Sequence, residues 1–406
     1  MTTMIDNEQK TLNVPNIRFK EFEEEWEECF LSDILEFKNG LNPKANKFGK
    51  GTKFISVMDI LNNIFITYDC IKATVEATEE EKLNFSVEKG DILFQRSSET
   101  LDDVGRANVY MDERPAIFGG FVIRGKKKGE YNPLFFRYLL SSPCSRRKII
   151  PMGAGAQHFN IGQEGLSKVK LNFASLSEQG KIGKFLSLID ERIATQNKII
   201  DKLESLIKGI CNNYFLKLSH SQEMKSIRLG DILKERNEYC CKDGTFVHGT
   251  LSKDGLFPKT ERWNRDFLVK EENKKYKITH LDDICYNPAN LKFGVICRNI
   301  YGDLIFSPIY VTFEVSKKVN IGFIELYLTN RNFIEKIRKF EQGTVYERMS
   351  VSPEDFLSYK IRIPSSSEQT FFYQKIQRLK NCSQNELEHL NLYKKLRQYL
   401  LRQMFI

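Results

Sequence analysis

From Ile182 onward the apolar positions of this chain fall at alternating steps of four and three: Ile182, Leu186, Ile189, Ile193, then Gln196, then Ile200, Leu203, Ile207, Ile210 and Tyr214. That spacing keeps one face of an α-helix apolar over several heptads, with a single polar break at Gln196. Glu191, Arg192, Lys198, Asp201, Lys202, Glu204 and Lys208 fill the faces between, and Ser177, Glu178 and Gln179 stand where a helix start is capped. Across 177–215 the pattern predicts a rod of about 58 Å at the usual rise per residue. A noisier stripe follows through Phe372, Ile376, Leu379, Leu387, Leu390, Tyr393, Leu396, Leu400 and Met404.

The two stripes are copies. Ser177-Glu178-Gln179 returns as Ser367-Glu368-Gln369, LSDIL at 31–35 as LGDIL at 229–233, KGDILF at 89–94 as LDDICY at 281–286, and LSKVKLNFA at 166–174 as FLSYKIRIP at 356–364. Between them lie short β-rich runs such as GTKFISV, AIFGGFVIRG and DLIFSPIYVTFEV, broken by Gly, Asn and Asp. Each copy also holds a helical segment, at 132–142 and 321–340. The expected fold is α+β: two similar globules and two long antiparallel helices related by an internal pseudo-two-fold. The divisions are an N-terminal arm at 1–19, a globule at 20–175, a helix at 176–215, a globule at 216–365 and a helix at 366–406. Little aligns between 231 and 285, where different specificities are expected. Taking helix centres at Gln196 and Glu386, facing residues should have numbers adding to 582, within about a turn. Gln196 would then meet Glu386, and Leu203 would meet Leu379, along one seam.

Charge and motifs narrow the chemistry. Lys and Arg number 62 against 53 Asp and Glu, a net charge of +9, which slightly favours a polyanionic partner. The polar start MTTMIDNEQK and the lack of any apolar run near 18 residues predict a cytoplasmic protein with no membrane partner. Nine cysteines form no CxxC or Cys/His cluster, so reduced thiols are expected rather than a zinc site or disulfide framework. No phosphate loop of the GxxxxGK[ST] kind occurs, and the GxG at 153–155 lacks its continuation. YNPL at 131–134 and YNPAN at 286–290 lack the second proline and aromatic that hold a flipped base, and read as turns. Asp102-Asp103 and Asp282-Asp283 lack nuclease spacing. Catalytic and metal residues are therefore expected to be absent. A coiled-coil scaffold or adaptor that binds proteins without reading DNA remains the alternative at this point.

In its ordered motifs the chain resembles the specificity subunits of type I restriction-modification systems over essentially its whole length. The carriers are VPNIRFKEFEEEWEE followed by LSDI, KGDILFQRSS, GAGAQHFNI ahead of LSKVKLNF, the SEQGKIGKFLSLIDERIATQNKIIDKLESLIKGICNNYF helix, then QGTVYERMSV, YKIRIPSSSEQ and LYKKLRQYLLRQMF. The first copy reads FASLSEQ where the family often has a Pro-rich turn, which loosens the boundary near 175. The resemblance implies two target-recognition domains, each reading one half of a bipartite double-stranded DNA site, with the helices setting their separation. It also implies two methylation subunits docked on the helices and carrying S-adenosylmethionine, and restriction subunits carrying ATP and Mg. The chain itself would bind no cofactor and catalyse nothing.

Candidate base readers are polar and basic residues on comparable loops: Gln95, Arg96, Ser97, Ser98, Arg106, Gln157, His158 and Asn160 in the first globule, and Asn287, Asn290, Lys292, Arg298, Tyr346 and Arg348 in the second. Arg and Lys suit guanine edges, and Asn and Gln suit adenine.

Overall fold

The computed structural model describes residues 13–241, 245–259, 275–341 and 350–406. They divide into two compact units, the first comprising residues 1–197 with 387–406 and the second residues 198–386. Each unit thus takes a globule together with part of each long helix.

In the first unit, strands β1 (Leu35–Asn39), β2 (Ile92–Gln95), β3 (Ala107–Val109) and β4 (Val122–Lys127) form an antiparallel sheet in the order β1-β4-β2-β3. Helix α1 (Pro133–Ser141) packs on it, and helix α2 (Leu176–His220) follows. The second unit repeats the sheet with β5 (Leu233–Glu235), β6 (Ile284–Tyr286), β7 (Ile296–Arg298) and β8 (Val311–Val315), in the order β5-β8-β6-β7. Helix α3 (Ile321–Leu328) takes the place of α1, and helix α4 (Ser366–Gln403) that of α2. The copies part in their other large sheet, which has four strands in the first unit and five in the second. Four of those five, Tyr239–Cys240, Val247–Ser252, Gly255–Pro258 and Tyr276–Thr279, lie in the stretch where the sequences do not align.

The repeated motifs have local physical causes. In LSDIL and LGDIL the aspartate accepts the backbone N–H three residues earlier, Phe30 to Asp33 at 2.9 Å and Arg228 to Asp231 at 2.8 Å. Asp91 and Asp283 do the same to Glu88 (3.0 Å) and His280 (2.8 Å) at the turns feeding β2 and β6. Burial raises the Asp91 carboxyl above its ordinary value, against the N–H groups of Glu88 and Lys127 that it accepts. The glutamine of each SEQ element is buried and ties a long helix to its globule. Gln179 accepts from Asn132 N at 2.9 Å and donates to Ala174 O at 2.8 Å, while Gln369 accepts from Asn320 N at 2.9 Å and donates to Pro364 O at 2.9 Å. Asn132 and Asn320 are the N-caps of α1 and α3. In the first unit alone, Arg18 grips Glu178 through two nitrogens (2.8 and 2.7 Å) and Trp26 donates to it at 3.2 Å, fastening the VPNIRF segment to the helix start.

Within the first unit α2 and α4 run antiparallel. Ile182, Leu186 and Ile189 share a core with Leu400, Met404 and Phe405, and Phe405 lies 5.6 Å from Phe135 of α1. In the second unit Phe215 sits 5.6 Å from Phe323 of α3, and Tyr214 stacks on Phe372 at 3.8 Å. Facing numbers add to 587 for Asp190 with Arg397, to 585 for Arg192 with Tyr393, and to 586 for Tyr214 with Phe372. These sums lie about four above 582, one helical turn, the slip that the expectation allows. Gln196 and Leu390, whose numbers add to 586, are both buried.

Two expectations are corrected. Leu396 was assigned to the seam but is 43% exposed, and Leu387 is exposed as well. The strict four-three spacing of α4 instead runs Phe372, Ile376, Leu379, Ser383, Glu386, Leu390, Tyr393, Arg397, Leu400 and Met404, none of them exposed. Arg397 occupies an apolar slot because its Nε donates to Asp190 at 2.5 Å. The first helix also continues past Phe215 to His220, because its next turn buries Leu218 in the second unit's core. None of the nine cysteines forms a disulfide, and burial pushes the thiols of Cys285 up to about 11 and Cys297 up to about 12.

Candidate nucleic-acid interface

Strand β2 delivers the chain to the first unit's candidate surface. After Gln95, residues Ser97–Ser98 pair antiparallel with Phe159–Asn160, in the register Ser97 with Asn160 and Ser98 with Phe159. Ser97 Oγ donates to Asn160 Oδ1. Arg96 is anchored on both sides: its N–H donates to Phe121 O and its carbonyl accepts from Ile161 N, each at 2.9 Å. Behind the ribbon the GAGAQH turn closes through two 2.9 Å bonds between Ala154 and Asn160. Gly155 makes that turn possible. Its φ is +143°, and an added Cβ would lie 2.0 Å from His158 O, so no other residue fits.

The structure therefore joins two polar groups about sixty residues apart in sequence. Arg96, Ser97 and Ser98 meet His158 and Asn160 on one two-stranded ribbon, with Gln157 exposed at its turn. Arg106 lies apart, exposed and bonded to Asp103 at 2.6 Å. Gln95 is corrected: it is 4% exposed, its Nε2 donates to Ser97 O at 2.9 Å, and it shapes the strand end instead of facing outward.

The second unit solves the same position differently. Asn287 is 7% exposed and caps the 3-10 helix Pro288–Phe293, accepting from Ala289 N and Asn290 N at 3.1 and 3.3 Å. It too is a framework residue and not an outward-facing one. The helix presents Asn290 and Lys292 and ends in an exposed Phe293, and Gly294 at φ +81° turns the chain back. Arg298 is engaged by Asp282, with Nε at 2.8 Å and Nη2 at 2.5 Å. Burial opposes the charge of Arg298, and the Asp282 carboxylate more than offsets it, raising its pKa. Tyr346 and Arg348 lie outside the described residues.

One pair of residues escaped the sequence reading. At the turn into β4 and the turn into β8, Phe121 and Ile309 are 68% and 63% exposed. Both follow a turn dipeptide, Gly119-Gly120 and Ser307-Pro308, in otherwise alignable runs. That punctuation inside a strand-like string was the available signal. Phe121 adjoins the ribbon through its carbonyl bond to Arg96.

Among the described residues no group of three or more His, Cys, Asp or Glu is placed to hold a metal ion, and no helix is long and apolar enough to cross a membrane. Residues 23–205 match the family model for the type I restriction modification DNA specificity domain. Over 393 residues, 89% of this chain and 88% of the relative, the sequence is 24% identical to a Methanocaldococcus jannaschii protein named as the MjaX type I restriction enzyme specificity subunit. The fold is shared with the crystal structure of the type I restriction-modification S subunit from M. genitalium, at TM-score 0.55 and 16% identity over 97% of this chain and 99% of that one. A chain from a structure of type I complex assembly and conformational transition gives TM-score 0.57 and 12% identity, over 93% and 96%. The chain thus shares a specificity-domain match over residues 23–205, an alignment along most of both chains and an end-to-end fold with the DNA specificity subunits of type I restriction-modification systems.

Proposed function

We propose that each globule reads one half of a bipartite duplex site, and that the first does so with the ribbon of Ser97–Ser98 and Phe159–Asn160. The observation that carries this is the pairing itself, which brings the half-buried Arg96 and Ser97 beside the exposed His158 and Asn160 from distant sequence. A major groove about 12 Å wide admits a two-stranded ribbon, and these side chains offer both donors and acceptors to base edges. In the second unit the 3-10 helix with Asn290 and Lys292 takes that role. The long helices set the separation of the readers and dock two methylation subunits, which hold S-adenosylmethionine, while restriction subunits with ATP and Mg complete the assembly in the cytoplasm. This chain holds none of those cofactors. The protein-only scaffold reading has no comparable observation in its favour.

The test uses the assembled methylating complex in cells, with methylated positions read by long-read sequencing. His158→Ala combined with Asn160→Ala should relax or change one half of the site and leave the other half intact. Methylation of an unchanged sequence, or alteration of both halves together, would refute the assignment.

A further inference from the structure

The first unit holds a polar cavity that the ribbon does not use. It measures about 330 Å³ and lies among the helix Val57–Asn62, α1, the helix Pro143–Ile149 and the turn Leu101–Asp103, with α4 contributing one residue. Four arginines line it: Arg106, Arg137, Arg146 and Arg397.

Their hydrogen bonding is incomplete. Arg397 is satisfied by Asp190, and Arg106 by Asp103 at 2.6 Å. Arg137 is only 9% exposed, reaches Asp190 at 3.5 Å through Nη1, and leaves its Nε buried without a partner. Arg146 gives Nη2 to the carbonyls of Asp102 (3.0 Å) and Val104 (2.6 Å), and its Nη1 is buried and unpartnered. Arg137 and Arg146 thus each bring to the cavity wall a guanidinium with an N–H left unmade, and a buried donor left unmade is destabilising. Like charges are also crowded there. Burial first, and Arg106 second, push Arg146 down to about 10, and Arg397 adds to the burial that lowers Arg137.

The other polar groups on the wall are already committed. Asn108 donates to Ile60 O and Asn63 O, and Ser141 to Arg137 O. Asp102, the single carboxylate residue on the lining, is exposed at the rim. What remains to be satisfied is guanidinium N–H. In the second unit Glu325 stands where α1 has Arg137, so the feature is not repeated there.

We propose that this cavity is an oxyanion site that takes a phosphate group, held by Arg137 and Arg146 and flanked by Arg106. Several planar guanidinium forks converging on one tetrahedral anion suit phosphate, which accepts from each of them at once. The group is either free phosphate or a phosphodiester of the DNA backbone, and the same contacts serve both.

Thermal unfolding of the full chain in sodium phosphate, against sodium chloride at matched ionic strength, tests the site. The midpoint should rise with phosphate and saturate, as binding to the folded state requires. In Arg146→Gln the phosphate needed for half the effect should rise about tenfold or more. Arg106→Gln, at an exposed position, should shift it in the same direction and serves if Arg146→Gln fails to fold. No phosphate-specific rise in the unaltered chain, or the same half-saturation in both variants, overturns the proposal. Adding duplex DNA identifies the source: competition with phosphate assigns the site to the DNA backbone, and saturation unmoved by duplex assigns it to free phosphate, the site standing in either case. Failure of the half-site methylation test leaves this saturation curve untouched, so the two readings fall separately.

Discussion

Asp190→Asn is the sharpest single perturbation of the fold. The buried Asp190 carboxylate is shared by three groups: Arg397 Nε at 2.5 Å, Tyr138 OH at 2.9 Å and Arg137 Nη1 at 3.5 Å. An amide of the same shape keeps the packing but removes the one anion that two arginines face. Breaking a buried pair from one side costs about 3–5 kcal/mol, because the surviving charge stays desolvated. The Arg397 side chain is a quarter exposed, so water screens part of its loss and the lower end of that range applies. At roughly 2–4 °C per kcal/mol for a body of this size, the midpoint should fall by about 6–12 °C. Calorimetry at fixed pH and salt measures it, with Lys82→Ala as the control. Lys82 pairs with Glu79 at 2.6 Å on an open surface, where a pair contributes about 0–1 kcal/mol. A fall for Asp190→Asn no larger than that control would refute the view that α1 is held to α2 by this shared carboxylate.

His280 lies between Asp303 Oδ1 at 2.8 Å and Glu238 Oε2 at 3.1 Å, and although burial opposes its charge these carboxylates raise its pKa above the usual value. The stability difference between the unaltered chain and His280→Gln should therefore be fully present below about pH 6.5 and fade as pH rises through the raised folded value, so urea melts showing a flat difference from acid to alkaline pH would rule it out. Gly155→Ala should disrupt the ribbon turn and weaken methylation that depends on one half-site, while the melting midpoint moves little because the turn is exposed; a normal methylation pattern would show that the turn does not position the ribbon. Gln179→Ala and Gln369→Ala should each cost about 1–3 kcal/mol in chemical denaturation, since each leaves a part-buried N-cap amide without its acceptor; a large effect at one and none at the other would break their equivalence.

Much of the architecture was legible because duplication supplies an internal control. A motif that recurs at the same spacing marks a backbone need, and the recurrent aspartates and glutamines do satisfy buried or turn amides. Following hydrophobicity instead of the 190-residue offset produced the error at Leu396. The equivalent of Ile207 is Arg397, and only the neighbouring Asp190 makes a cation acceptable in that slot. Reader residues were less legible because Asn and Gln serve turns as readily as base edges. Asn287 and Gln95 turned inward as framework, while Phe121, apolar and inside a strand-like run, turned outward.

The two copies also differ in a way that prevents each globule from docking on the wrong helix. Five residues past its N-cap, α1 carries Arg137 and α3 carries Glu325; eleven past the SEQ glutamine, the first helix carries Asp190 and the second Lys380. Arg137 faces Asp190 in the first unit, and Lys380 acts on Glu325 in the second, where burial raises the Glu325 carboxyl and Lys380 opposes that rise. The polarity of the contact is reversed. Close packing is reversed as well. In the first unit Gly183 of the long helix yields to α1, where an added Cβ would come within 3.2 Å of Leu134 Cβ, whereas in the second Gly322 of α3 yields to Tyr373, a ring carbon of which would lie 2.2 Å from an added Cβ. An exchanged pairing would set Arg137 against Lys380 and Glu325 against Asp190, crowd Leu134 onto Tyr373 and leave a void between the two glycines. Like-charge contact and lost packing both penalise that arrangement, so a duplicated chain keeps one pairing of reader and helix. If each globule reads its own half of a site, as proposed, that fixed pairing makes the order of the two halves a property of the sequence.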